Sequence, residues 1–102
     1  MDTFSAYMIA RLGSLDGLAA RKMFGGIGLY SAGRFFGIIY QDRLYFKVDD
    51  DTRVKYEEAG MEPFRMEKKP PMKSYYEVPP EVVEDSERLL EWAAESAGLS
   101  NP

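Results

Sequence analysis

The spacing of apolar residues near the start of the chain predicts a helix. The residues at helical spacing are Phe4, Tyr7, Met8 and Leu12. They predict a helix over residues 3–12, which Asp2 or Thr3 can cap at its first turn. Gly13 follows, and we expect it to end the helix in the left-handed conformation.

From position 18 onward the spacing changes to that of short strands separated by turns. The runs LAARKMF (18–24) and IGLYS (27–31) flank Gly25 and Gly26, and a Gly-Gly pair predicts a two-residue hairpin turn in which both positions need a positive φ. A second turn is predicted at SAGR, and a third at Gln41-Asp42 between RFFGIIY and RLYFKV. Three turns at short intervals predict a four-stranded antiparallel meander.

The rest of the chain predicts two helices and further strands. DDDTRVKYEEAG (49–60) predicts a short middle helix that an aspartate or Thr52 caps and Gly60 stops. MEPF and MKSYYEV predict strands that join the sheet, Pro79-Pro80 a helical turn, and Asp85 the cap of a final helix. The expected buried face of that helix consists of Leu89, Leu90, Trp92, Ala93 and Ala97. The predicted fold is therefore α+β: an antiparallel β-meander of about five to six strands with an N-terminal, a short middle and a C-terminal helix.

Length and composition restrict the classes of function. With 102 residues we expect a single domain over residues 1–102. The absence of cysteine excludes disulfides and thiolate sites, and the absence of histidine removes the commonest general base and metal ligand. No spacing of the remaining polar residues specifies a catalytic set, so we expect a non-enzymatic protein without a cofactor.

Two further motifs have structural interpretations that we prefer. The glycines of GGIG lack the spacing of phosphate-binding loops and precede a predicted strand, which favours a hairpin. Three consecutive aspartates, Asp49 to Asp51, do not alternate as calcium ligands do, so helix capping is preferred to a metal site.

The distribution of charge suggests where the chain would meet a partner. The net charge is −4; residues 1–76 hold twelve Lys or Arg and ten Asp or Glu, a net of +2, whereas residues 77–102 hold seven acids and one base, a net of −6. The densest basic stretch is RMEKKPPMK (65–73), and the acidic final helix is either a solvated face or an interaction surface. The sequence also lacks a signal peptide pattern and any run of about 18 apolar residues, so we expect a cytoplasmic protein that does not span a membrane.

Nine residues are the candidates for an interaction surface at the hairpin tip, on the strands and in the basic loop. They are Arg21, Lys22, Gly25, Gly26, Arg43, Lys47, Lys68, Lys69 and Lys73. The four bases of the strands are expected on adjacent strands, and together with Arg65 and the three loop lysines they are an alternative phosphate-contacting stripe for nucleic acid. In that alternative, tyrosines 40, 45, 75 and 76 would stack on bases, although half-buried tyrosines on a sheet and lysines on edge strands are ordinary structural features.

Three ordered motifs resemble the N-terminal domain of the TfoX/Sxy family. They are MFGGIGLY (23–30), LYFKVD (44–49) and SYYEVP (74–79), and the similarity covers roughly residues 4–97. The resemblance implies an α/β domain with an antiparallel sheet and contributes no catalytic residues.

The resemblance also implies a role in competence regulation. Full-length members of the family are regulators of natural competence that are thought to assist a cyclic-AMP receptor protein as coactivators, and they carry a second, C-terminal domain that this sequence does not contain. We therefore expect a bacterial regulatory or adaptor domain that acts through protein contacts, with the transcription machinery as a candidate partner and a homodimer as the simplest assembly. Direct binding to nucleic acid through the 65–73 loop and the strand arginines is the alternative, which the net negative charge disfavours.

Overall fold

Six strands in one antiparallel sheet and four helices make up the part of the chain that the computed structural model describes, residues 2–23 and 25–99. The strands are β1 (Ala19–Met23), β2 (Gly26–Ser31), β3 (Arg34–Tyr40), β4 (Arg43–Lys47), β5 (Pro63–Phe64) and β6 (Met72–Glu77). The helices are α1 (Thr3–Arg11), α2 (Arg53–Glu58), α3 (Pro80–Val83) and α4 (Ser86–Gly98). The predicted α+β class, the strand number and the placement of the helices are confirmed.

The meander of β1 to β4 continues into β6, which lies between β4 and β5. The strand order is β1-β2-β3-β4-β6-β5, and each neighbouring pair is antiparallel. After the middle helix the chain forms the two-residue edge strand β5. It then turns back, and β6 pairs with both β5 and β4. β6 pairs with β4 over residues 75–77, where Tyr75 and Tyr76 are buried, whereas Met72, Lys73 and Ser74 at the start of the strand are exposed.

Helix α1 begins as predicted but ends differently. The Asp2 side chain accepts a hydrogen bond from the Ser5 N–H at 2.7 Å and so caps the first turn. The prediction of a left-handed Gly13 is wrong, because Gly13 is not among the residues with positive φ. The first residue after α1 with a positive φ is Gly17, at 59°.

The β1–β2 hairpin forms, but its glycines have different roles from those predicted. Met23 pairs with Gly26, so Gly26 already belongs to β2, and only Gly25 has a positive φ, of 78°. A Cβ at Gly26 would lie 2.5 Å from the carbonyl oxygen of Ile39 on β3, which explains glycine there by close approach rather than by turn geometry. The predicted Gly25-Gly26 turn is therefore wrong by one residue, and the prediction that the first strand includes Phe24 lies outside the described residues.

The other two hairpin turns are confirmed. Ala32 and Gly33 have φ values of 50° and 83°, and Gln41 and Asp42 have 49° and 61°. Two positive φ values in a two-residue loop are typical of type I′ turns, whose twist matches that of the flanking strands. These turns fix the register of the central strands.

The predicted ends of the later helices are also confirmed. The Asp49 carboxylate accepts hydrogen bonds from the N–H groups of Asp51 and Thr52 just before α2, and Gly60 follows the helix with φ 82°. At α4, the Asp85 carboxylate accepts from Glu87 and Arg88. The aspartates after β4 therefore have a structural use at a helix start.

All four helices pack against one face of the sheet, which we call the helix face. Its core joins side chains of the sheet to side chains of every helix. The fully buried members with the largest side chains are Met8, Leu12, Leu29, Phe36, Leu44, Phe46, Tyr56, Val82 and Leu89. Because side chains alternate along a strand, the residues between these positions point to the opposite side of the sheet, which we call the open face.

Candidate interaction surface

The open face has its own apolar cluster, which is covered by chain rather than by a helix. Its buried members are Ile38, Tyr45, Phe64 and Tyr75, with Phe35, Tyr40 and Met66 packed against them. The cover comes from residues 64–72, here called the crossing segment, which runs from β5 to the start of β6. The functional surface of the domain is best sought here, because the other face is occupied by the helices.

Aromatic contacts hold the crossing segment onto the sheet. The ring of Phe64 meets those of Tyr45 and Tyr40 edge-on, with centroids 4.9 and 5.3 Å apart. On the sheet itself, Phe35 lies between Tyr30 and Tyr75, at centroid distances of 5.2 and 5.5 Å. This cluster is held by ring contacts that involve five strands, β2 to β6.

Burial excludes most of the predicted stacking tyrosines from contact with a base. Tyr45 and Tyr75 are buried in the open-face cluster, and Tyr76 is buried on the helix face. Burial raises the pKa of the phenols of Tyr45 and Tyr75, as expected for groups removed from water. Of the four tyrosines, only Tyr40 is half-exposed, so the proposed stacking platform is wrong for the other three.

The four basic strand residues do not form one stripe. Arg21 and Lys22 lie on the edge strand β1, whereas Arg43 and Lys47 lie on β4, and both β2 and β3 separate the two pairs. The prediction that they occupy adjacent strands is wrong, because the meander places the first and fourth strands three positions apart.

An ion pair distinguishes Arg43 from the two bases of β1. Arg43 is paired with Glu77 at 3.0 Å, and the hydrogen bond from Arg43 to this carboxylate raises the pKa of its guanidinium. The guanidinium of Arg21 instead lies over the ring of Tyr30, 5.4 Å from its centroid, on the open face. Among the described residues, neither Arg21 nor Lys22 forms an ion pair, so the edge pair remains available to a partner.

The basic loop displays its lysines on a tight turn. The Lys69 N–H donates to the carbonyl of Met66, the Arg65 side chain donates to the carbonyl of Lys69, and Lys68 has a φ of 63°. Lys68, Lys69 and Lys73 are exposed and form no ion pair within residues 2–23 and 25–99. The structure thus places Arg21 at the β1 edge of the sheet and the loop bases near the β5–β6 edge, on two sides of the open-face cluster.

The predicted glycines border a different feature. Gly25 and Gly26 line an open cleft of about 520 Å³ between the start of α1 and the β1–β2 hairpin, together with Asp2 and Lys22. The Asp2 carboxylate is already engaged by the Ser5 N–H, and the Lys22 amine is exposed. The cleft therefore offers no convergent set of free polar groups.

The acids of the last two helices lie on elements that pack against the helix face, and Glu84 shares a cleft with Arg43 and Glu77. Those that are exposed are Glu81, Glu84, Asp85, Glu87 and Glu91. Glu95 is engaged instead, by the amine of Lys55 at 2.6 Å. The exposed acids of these helices and the exposed bases of the crossing segment therefore belong to elements on opposite faces of the sheet.

The described part of the chain holds no cluster of metal-ligating side chains. In residues 2–23 and 25–99 no three acidic side chains converge on a common point. None of the described helices has the length and apolar character needed to cross a bilayer.

Sequence reasoning missed the methionines of the open face. Met23, Met66 and Met72 meet over the central strands, where they line a small cavity with Phe35 and Ile38. They come from three separated stretches of the chain, so no local spacing signals that they converge. Gly28, which gives Met23 its place over β2, likewise shows no signal beyond its occurrence in a strand.

Comparison with known proteins identifies similar sequences. A family model of the TfoX N-terminal domain matches residues 10–99. The DNA transformation protein TfoX1 of Aliivibrio fischeri is 37% identical to the chain over 49 residues. This match covers 48% of the chain and 23% of that relative, so the similarity concerns only part of the longer protein.

Proposed function

The chain belongs to the TfoX N-terminal domain family, as its motifs predict, and from this membership we propose that it is a non-enzymatic regulatory or adaptor domain acting in DNA transformation through contact with another protein. One relative is named a DNA transformation protein, and this name supports a role in DNA transformation. Transcriptional control of competence genes is the form of regulation that we propose.

One observation carries the proposal of protein contact. The helices cover one face of the sheet, and the other face is closed only by the crossing segment, beside which Met72 is 43% exposed and several bases lack ion-pair partners among the described residues. Apolar surface with a charged margin is typical of a partner site. The partner is a component of the competence regulatory machinery, and a second copy of the chain is the simplest alternative partner.

The test in the cell compares a deletion of the gene with variant alleles, in a naturally transformable bacterium that carries it. Deletion should lower competence-gene transcripts and transformation frequency. A variant with Arg21, Lys22, Lys68 and Lys69 changed to Ala should reproduce the deletion, although it folds, since surface substitutions usually change stability by less than about 0.5 kcal/mol. The matched control changes four exposed acids between Pro80 and Gly98, Glu81, Glu84, Glu87 and Glu91, to Ala and should retain activity. Unchanged transformation after deletion would refute the proposed function.

Direct binding to nucleic acid is the competing function, and it needs a separate measurement. Fluorescence anisotropy of labelled duplex and single-stranded DNA, at low and at physiological salt, should show no binding at physiological salt. Binding that weakens steeply with salt and is lost in the four-residue Ala variant would instead identify a nucleic-acid module, because released counterions make such affinity salt-dependent. Burial of Tyr45, Tyr75 and Tyr76 argues against base stacking.

A further inference from the structure

A small cavity lies on the open face between β3 and the crossing segment. Its volume is about 70 Å³. The lining residues are Met23, Phe35, Ile38, Tyr40, Phe64, Met66 and Met72, and we call this space the methionine cavity. Its size is far below the roughly 300–1,000 Å³ of pockets for small molecules, so it suits a single side chain better than a free ligand.

A missing side chain on β2 allows the cavity to form. Gly28 pairs with Arg21 on β1 and with Ile38 on β3, in the middle of the sheet. A Cβ at Gly28 would overlap the sulfur of Met23 and lie 3.0 Å from the ring of Phe35. Met23 therefore reaches from the edge strand over β2, through space that any other residue at position 28 would occupy.

The walls of the methionine cavity can adapt to an entering group. Three of the lining side chains are methionines, which are unbranched and adopt many conformations at low cost. Met72 is 43% exposed, and Met23 and Met66 are half-buried, so two sides of the cavity reach solvent. Movement of these side chains would admit an aliphatic group without disturbing the buried rings of Tyr45 and Tyr75.

Positive charge surrounds the cavity on both sides. Between Pro63 and Tyr76 the chain carries four bases and one acid, Glu67. The bases are Arg65, Lys68, Lys69 and Lys73, all exposed, and Arg21 approaches from β1. None of these five forms an ion pair with another described residue. Arg21 is also linked to the cavity by contact, since it lies over Tyr30, whose ring packs on Phe35.

We propose that the methionine cavity binds one aliphatic side chain of an acidic segment of a partner protein, whose carboxylates meet the surrounding bases. This inference rests on the proposed function, because it names the chemistry of the protein partner and the place where it binds. An apolar anchor supplies affinity and complementary charge supplies orientation and rate of encounter. The exposed acids of α3 and α4 form no ion pair with these bases among the described residues, so they leave the bases free for another protein.

The first test selects binders from a library of random short peptides displayed on phage, with the intact chain as the target. Enriched peptides should be acidic and share one Leu, Ile or Met, and replacing that residue by Ala should weaken binding about tenfold in fluorescence anisotropy. The Lys68→Ala/Lys69→Ala variant should bind about five- to tenfold more weakly. Arg34→Ala/Arg88→Ala removes the same charge elsewhere and should bind like the wild type. Peptides without acidic residues, or equal binding by both variants, would overturn the proposal.

The second test locates the peptide by NMR of 13C-methyl methionine. The chosen peptide should shift the methyl signals of Met23, Met66 and Met72. Met8 and Met61 pack on the helix-face core and serve as internal controls whose signals should stay in place. A peptide that shifts only the control methyls, or none of the five, binds elsewhere and contradicts the assignment of the cavity.

Further outcomes separate this inference from the proposed function. Peptide binding at the cavity together with normal transformation after gene deletion would refute the function and leave the site intact. Loss of transformation after deletion, combined with full activity of the Lys68→Ala/Lys69→Ala variant, would refute the site and leave the function intact. Sedimentation that shows self-association abolished in this variant would make a second copy the occupant and overturn the proposal.

Discussion

At the scale of single residues, the main anomaly is a tyrosine buried in the core of the helix face. Tyr56 is fully buried against the edge of Trp92, with ring centroids 4.8 Å apart. Its hydroxyl makes no hydrogen bond to another described residue, although it lies near the Ser96 hydroxyl, which donates to the carbonyl of Lys47. A buried hydroxyl without a partner costs folding free energy, so this residue limits the stability of the domain.

Replacement of Tyr56 by Phe should therefore leave the free energy of unfolding unchanged or raise it by up to about 1 kcal/mol. Urea unfolding followed by the fluorescence of Trp92, the single tryptophan, measures this change. Tyr76→Phe is the control, because its hydroxyl is bonded to Glu57 at 3.1 Å, and this variant should be slightly less stable. A loss above about 1 kcal/mol in Tyr56→Phe would mean that the hydroxyl is satisfied in solution, for example by water.

The same residue should make the protein sensitive to alkaline pH. Burial raises the pKa of Tyr56 above the unfolded value of about 10, so the unfolded chain loses this proton first. The stability is fully present below about pH 10 and falls as the pH rises above it, because the unfolded state then binds fewer protons. The slope of unfolding free energy against pH above pH 10 should be shallower in Tyr56→Phe than in the wild type.

At the scale of elements, helix α4 depends on contacts at its start and along its buried side. The Asp85 carboxylate accepts two backbone N–H groups, from Glu87 and Arg88, each at 3.2 Å. Along the helix, Trp92 lies under the amine of Lys55 from α2, 4.5 Å from its centroid, and Lys55 also pairs with Glu95. These contacts join α2 to α4. The start of α4 is therefore held by Asp85, and its middle by Lys55 of α2.

Asp85→Ala should lower the free energy of unfolding by about 1 kcal/mol, the usual cost of losing an N-cap. Glu84→Ala is the matched control, since this neighbouring acid is exposed and its side chain makes no hydrogen bond to another described residue. Circular dichroism and urea unfolding of both variants measure the difference. Equal stability of the two would show that the α3–α4 turn holds the helix start without the cap.

At the scale of the whole molecule, the two edges of the sheet are protected differently. The β5 edge is two residues long and begins with Pro63, which lacks an N–H, so it is a poor template for another strand. The β1 edge is five residues long and carries the exposed Arg21 and Lys22. Charged residues on a long edge discourage the pairing of copies, which gives these two bases a structural role beside the proposed functional one.

Arg21→Thr/Lys22→Thr should therefore associate more strongly than the wild type, because threonine favours strands and the charge on the edge is lost. Light scattering and sedimentation at increasing protein concentration measure the association. The control Lys68→Asn/Lys69→Asn removes the same charge from the loop and should behave like the wild type, because asparagine tolerates the positive φ of Lys68. Similar association in both variants would attribute the effect to net charge rather than to the edge.

The sequence by itself determined the features that short-range interactions control. Helical periodicity, the caps Asp2 and Asp85, and the turns at Ala32-Gly33 and Gln41-Asp42 depend on residues within one turn of chain, so their signals are local. Three sequence motifs also predicted the TfoX family, which the match over residues 10–99 confirms. The same reasoning failed at Gly26, because the reason for glycine there is the carbonyl of Ile39 on another strand.

Only the tertiary structure decided how the sheet distributes these residues. Strand order separates Arg21 from Arg43, and packing on both faces of the sheet buries Tyr76 under the helices and Tyr75 in the open-face cluster. The convergence of Met23 with Met66 and Met72 depends on Gly28 and on the path of the crossing segment. A tyrosine or methionine has the same local pattern on a covered and on an open face, because burial is set by partners distant in sequence. The sequence therefore determined the elements, and long-range packing determined the surface on which the proposed function rests.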